Sequence, residues 1–215
     1  MLHDRSGCCQ PLSPRPYRLG QRQAASDRTR ARIIDAAREL LASDRGFAGF
    51  SLEAVARQAD VARVTVYNQF KSKVGLLEAV FDELARRGGM ERLPAAFSVA
   101  DPLHAIDAYI AVFCGFWASD RVAIKRVRAA AALDPDLELA LQARDERRGR
   151  GLTVLLSRLS ATRGTPAPDA VDAAVDVLVA LTSFETFDQL ARTRARESVE
   201  ALLRYTARAV LGVAG

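Results

Sequence analysis

The chain has little of what metal sites and catalytic dyads are made from: three cysteines and two histidines in 215 residues. Cys8 and Cys9 are adjacent, Cys114 lies far away in an apolar run, and there is no C-x-x-C pair. That spacing offers neither a disulfide framework nor a zinc site, so no metal or cofactor is expected and a reducing cytoplasm is the expected location. With His3 and His104 as the only imidazoles and no nucleophile–base spacing, a small helical enzyme has nothing to work with. A Cys114 thiolate would be disfavoured by its apolar neighbours. The longest nearly apolar run, Ala108–Ala118, is far short of the ~20 residues that span a bilayer, and the N-terminus has no apolar signal-peptide core. No membrane partner is expected. Alternating β-branched runs are also nearly absent, which leaves an all-α chain.

What is there is unevenly distributed. Residues 1–89 carry fifteen basic and ten acidic side chains, whereas residues 90–215 carry sixteen of each. All the surplus positive charge therefore sits in the N-terminal part, as expected if that part alone meets a polyanion. Residues 1–27 are polar, contain Pro11, Pro14 and Pro16, and show no periodicity, so they read as a disordered basic arm.

Beyond the arm, helical periodicity sets in. A first helix is expected from Asp27 to Asp44 with Ile33, Ala37, Leu40 and Leu41 buried, stopped by Gly46. Ser51 caps a short second helix, 52–59, with Leu52, Val55 and Ala56 inward. Asp60 stands at a sharp turn, and Asp tolerates positive φ better than most residues. The third helix, 62–69, turns Val66 and Phe70 inward and Arg63, Thr65, Asn68 and Gln69 outward. Ser72 caps a fourth, buried through Leu76, Leu77, Val80, Phe81 and Leu84, and Gly88-Gly89 ends it. Five longer helices follow, at about 102–118, 120–132, 135–163, 167–192 and 195–212, separated by Asp-Pro, Gly and Ser breaks.

Two short helices joined by a tight turn, the first capped and the second with a polar outer face, make a helix-turn-helix. A major groove about 12 Å wide accepts one such helix. In detail, Arg32-Ile33-Ile34-Asp35-Ala36-Ala37, Gly46-Phe47, Phe50-Ser51-Leu52, the run Val61 to Phe70, and Lys71-Ser72-Lys73 with Leu76 occur in order. On these motifs residues 28–81 resemble the DNA-binding domain of the tetracycline-repressor (TetR) family of regulators. The resemblance implies a helix-turn-helix domain at 28–72 and an effector-binding and dimerisation domain at 73–215.

It also implies roles. Arg63, Thr65 and Val64 fall at base-reading positions, where Arg can bond guanine and a methyl can pack on thymine. Tyr67, Asn68 and Gln69 would position phosphates, as would Lys73 at the start of the fourth helix. Ser51 would cap its helix and touch phosphate, and Arg28 or Arg30 would reach the flanking backbone. Two departures stand out: the family usually has Gly where this chain has Asp60, and a small residue or Pro at Val64.

In the C-terminal part the family lines an effector pocket with its central helices. The single Trp and several aromatics concentrate in 102–118, so Tyr109, Phe113, Phe116 and Trp117 are candidate pocket residues, with Thr182 and Glu185 as polar partners. The last two expected helices are amphipathic and rich in small residues, which suits a four-helix dimer interface. The expected function is a ligand-responsive, homodimeric repressor of a palindromic double-stranded DNA operator, released by a small, mainly apolar effector. An activator or co-regulator on the same scaffold, and a ligand-binding dimer without DNA function, are the alternatives left open.

Overall fold

Several helix starts in this chain fall where a short polar side chain can accept the first free N–H groups. In the computed structural model, which describes residues 15–43, 46–163 and 168–212, Ser51 accepts from the Ala54 N–H at 3.1 Å. Ser72 takes the Gly75 N–H at 2.9 Å, and Asp101 and Asp120 take those of His104 and Ala123. The described residues form the helices α1 (Arg15–Ala42), α2 (Leu52–Gln58), α3 (Arg63–Phe70), α4 (Lys73–Arg87), α5 (Leu93–Phe97), α6 (Pro102–Ser119), α7 (Arg121–Ala131), α8 (Pro135–Arg163), α9 (Pro168–Leu181), α10 (Phe184–Leu190) and α11 (Arg196–Val210). There is no strand among them, and the protein is all-α.

The core of the first part is the expected one except at Leu40 and Leu52, which are only half-buried at its edge. Ile33, Ala37 and Leu41 of α1 pack with Val55, Val66, Phe70 and the inner face of α4, from Leu76 to Leu84. Burying each large apolar side chain contributes about 1.5–3 kcal/mol, so these rows fix the three short helices against one another. The second part is organised around α6, whose Ile106, Tyr109, Ile110, Phe113, Phe116 and Trp117 are all buried. A helix that is apolar on nearly every side belongs in an interior. It is covered by α8 and α11, the latter through Val199, Leu203 and Ala207, one face of an amphipathic helix.

Three expectations about helix limits are corrected. The first helix begins at Arg15, not Asp27, so residues 15–27 are helical and only the stretch 1–14 of the expected arm lies outside the described residues. Its one proline, Pro16, stands in the first turn, where a missing N–H costs nothing. The expected helix 167–192 is broken at Thr182–Ser183, because Ser183 adopts an extended backbone and caps α10 through the Thr186 N–H. Between α4 and α6, the Met90–Arg92 turn and α5 were not expected at all.

The two parts are tied by charged groups on α1, α4, α7 and α8. Arg126 of α7 donates to the Leu41 and Ser43 carbonyls at 3.0 and 2.6 Å, satisfying the free acceptors at the end of α1. Arg38 of α1 pairs with Asp120 at 2.9 Å. Arg87 of α4 pairs with Asp35 of α1 and with Glu83. Arg144 of α8 reaches Asp82 at 2.8 Å and Glu78 at 3.3 Å, both on α4. At Gly88 the end of α4 touches α6 so closely that a Cβ would lie 2.5 Å from the Phe116 Cα.

Candidate DNA interface and interior cavity

The turn between α2 and α3 is built on one residue of positive φ, Asp60 at +50°. The Val61 N–H closes it by donating to the Ala56 carbonyl at 3.0 Å, and the Asp60 N–H reaches Arg57 O at 3.2 Å. This pattern satisfies the last carbonyls of α2. Asp60 thus takes the left-handed conformation that Gly adopts without steric cost. Arg32 of α1 holds the turn from below, its Nη2 donating to Ala59 O at 3.1 Å and Asp60 O at 3.3 Å. Arg32 was quoted only as part of a motif; its role depends on where α1 crosses the turn, which no periodicity reveals.

The outer face of α3 consists of Arg63, Val64, Tyr67 and Asn68. Val64 is 61% exposed and Tyr67 55%. Arg63 is 71% exposed, with Glu53 at 4.0 Å as a loose neighbour. Ser51 and Arg28 are exposed as well, Arg28 on α1.

Three predicted contacts are placed otherwise. Thr65 is half-buried at the flank of this face. Gln69 is held by α1: its Nε2 donates to the Ser26 Oγ at 3.1 Å, and Arg30, lying 4.5 Å over the Phe70 ring, donates to its carbonyl. Lys73 does not extend outward. Its ammonium lies 3.7 Å from the centre of the Phe47 ring, and burial lowers its pKa although Asp134 opposes the shift. The aromatic pair in the preceding turn thus occupies the cation expected on a phosphate.

In the second part, a cavity of about 280 Å³ lies between α4, α6 and α8. Phe113, Phe116 and Trp117 line it, as expected, joined by Phe81 of α4 and by Met90 and Leu93. Its polar wall was missed: Arg144, Asp145, Arg147 and Arg148 of α8, and Asp82 of α4. The other three predicted pocket residues do not line it. Tyr109 is fully buried and its hydroxyl donates to Arg148 O at 2.7 Å; burial raises its pKa, which keeps it a neutral phenol. Thr182 is buried behind the wall, accepting from Arg148 Nη1 at 2.8 Å while its carbonyl accepts from Trp117 Nε1 at 2.9 Å. Glu185 is 61% exposed and pairs with Arg128 at 2.6 Å, because the break at Ser183 carries α10 away from the row Val171, Val175, Leu178, Thr182.

The fold and the exposed third helix define the class: an all-helical protein with an N-terminal helix-turn-helix domain. Residues 33–80 match the family described as bacterial regulatory proteins, tetR family. The chain superimposes on a TetR-like transcriptional regulator from Rhodococcus sp. RHA1 at 21% identity and TM-score 0.65, covering 86% of this chain and 96% of that one. A second Rhodococcus sp. protein assigned to the TetR family gives 19% identity and TM-score 0.68 over 86% and 99% of the two chains. The multidrug-binding protein EbrR, solved with imidazole, gives 24% identity and TM-score 0.55 over 84% and 88%. No curated protein sequence matches the chain. The tetR-family match thus covers the helix-turn-helix segment, and the likeness to solved regulators extends the same all-helical fold over most of the chain. Among the described residues, no helix is long and apolar enough to cross a membrane.

Proposed function

We propose that the chain is a cytoplasmic homodimeric repressor that reads a palindromic operator with α3 and is released by a small effector held in the α4–α6–α8 cavity. The observation that carries the reading is the outer face of α3, where Arg63, Val64, Tyr67 and Asn68 stand exposed on a turn fixed by Arg32. Arg63 supplies a bidentate donor for guanine, Val64 a methyl contact for thymine, and the Tyr67 and Asn68 tips reach phosphate. Ser51 and Arg28 extend the backbone contacts on either side. The reader ends near Ser72, and α4 is the first element of the sensor.

Dimerisation is supported by two exposed apolar stripes: Ala173, Val177 and Ala180 on α9, and Ala201, Tyr205 and Ala209 on α11. A pair of such helices from each protomer makes a four-helix bundle. EbrR, a multidrug-binding protein of the same fold, is a precedent for a small-molecule effector. Occupation of the cavity shifts α4, which both lines it and begins at the reader, toward a state that binds the operator less well.

Light scattering combined with fluorescence anisotropy of a labelled duplex tests this reading. The expected result is a dimer at micromolar concentration, one dimer per duplex, and an affinity that falls steeply with salt. A strictly monomeric species, or binding indifferent to sequence at every salt concentration, would overturn it.

A further inference from the structure

Arg148 is a cation that is only 6% exposed and lines the cavity. A buried guanidinium needs its five N–H groups satisfied, and this one is short of partners. Nη1 is well used, by Val179 O at 2.5 Å and Thr182 Oγ1 at 2.8 Å. Nη2 has a long contact of 3.3 Å to Asp145, a carboxylate shared with Arg128. Nε has no partner among the described residues. Arg38 and Arg204 also have an unpartnered Nε, but both side chains are far more exposed and neither lines the cavity. The free Nε and weakly used Nη2 form one edge of the guanidinium, the edge that takes a carboxylate bidentately.

The surroundings match an amphipathic anion. Arg144 and Arg147 line the same cavity, so three guanidinium groups face two carboxylates, Asp82 and Asp145. The apolar part of the lining includes Phe81, Phe113, Phe116 and Trp117. Trp117 has already placed its N–H on Thr182 O, which leaves the cavity only its apolar ring. The volume lies just below the range of about 300–1,000 Å³ for ligand pockets, which suits a compact molecule.

Building on the effector cavity proposed above, we infer that the effector is a small aryl- or acyl-carboxylate. Its carboxylate is held by Arg148 and its apolar part lies against Phe113, Phe116 and Trp117. The carboxylate also competes for Arg144, which otherwise ties α8 to Glu78 and Asp82 of α4. Anion binding exchanges an α4 carboxylate for a ligand carboxylate, and α4 is loosened at the point where the sensor holds it. By linkage, weakening the Arg144–α4 pairs tightens ligand and weakens DNA.

The single Trp of the chain lines the cavity, so its emission reports occupancy directly. The probes are 4-phenylbutanoate, its neutral amide and 4-phenylbutan-1-amine, with the neutral dye N-phenyl-1-naphthylamine as a general test of the cavity. The expected result is that the carboxylate binds at least tenfold more tightly than the amide, and that the amine does not bind. Arg148→Gln should bring the carboxylate-to-amide ratio close to one, Arg148→Lys should restore part of it, and Asp82→Asn should tighten the carboxylate several-fold. The amide series is measured on the unaltered protein, so the test does not depend on a variant folding. If the amide or amine bound as tightly as the carboxylate, the anion assignment would fall while the effector cavity stood. If neither the dye nor any probe altered Trp117 emission, both readings would fall.

Discussion

Replacing Glu83 with Gln removes a carboxylate that accepts from Arg86 Nε at 2.8 Å, Arg86 Nη2 at 2.6 Å and Arg87 Nε at 2.7 Å. Through Arg87 the same group steadies the Asp35 pair that fastens α4 to α1. The hydrogen bond from Arg86, opposed by partial burial and reinforced by Arg87, holds the Glu83 carboxyl at about 2 against an ordinary 4.5. Converted directly, that depression is a ceiling of about 3.4 kcal/mol. Because Arg86 is 69% exposed, solvent screening brings the expected contribution to about 1–2 kcal/mol. For a domain of this size that is roughly 2–8 °C in Tm. The folded-state value is depressed, so the contribution is fully present above about pH 4.5 and is lost as pH falls toward 2. Thermal melts of the two proteins by circular dichroism, in steps from pH 7 to pH 3, read the gap between them. The gap should be widest at neutral pH and shrink steadily below pH 4.5. A gap that is absent at pH 7, or constant down to the acid transition, would refute the reasoning.

A Cβ at Gly75 would lie 2.3 Å from the Phe70 carbonyl oxygen, so Gly75→Ala forces α3 and α4 apart at their elbow. It should cost about 1–3 kcal/mol of stability and weaken operator binding disproportionately, which denaturant titration and mobility shift together will show. Arg63→Ala should cost ~1–3 kcal/mol of specific binding and relax the preference at one base position. Lys73→Met should leave the salt dependence of binding unchanged, since its ammonium is on Phe47; a slope smaller by about one unit would put it back on a phosphate. Burial pushes the Cys114 thiol up to about 12, so peptide mapping after iodoacetamide at pH 8 should find it unmodified in the native protein and alkylated after unfolding.

The reader was legible because its signals are local. Caps at Ser51 and Ser72, the turn residue Asp60, and the inward pair Val66 and Phe70 need only spacing and side-chain chemistry. The flank of α3 was not, since whether Gln69 faces solvent or Ser26 depends on how α1 crosses it. Lys73 was misplaced for the same reason: Phe47 lies in a separate turn, and no helical register predicts that contact. The helical start before Asp27 was missed because residues 20–25 are all exposed, and a stretch that buries no face leaves no hydrophobic period. The cavity was half legible. An aromatic stripe announces an interior, but Arg144 and Arg148 sit on a long helix rich in charge, where a buried arginine has the same sequence signature as an exposed one. The kink at Ser183, one polar residue after Thr182, was hidden in an otherwise continuous apolar period.

The claim that α3 reads DNA is tested most directly by selecting bound duplexes from a random pool with the unaltered chain and with Arg63→Ala. The unaltered chain should enrich a two-fold symmetric site whose half-sites lie about one helical turn apart, ~34–36 Å or a multiple of it. Arg63→Ala should enrich the same spacing with one base position degenerate in each half-site. No enriched sequence, or the same site with unchanged preference at every position in both selections, would contradict the claim.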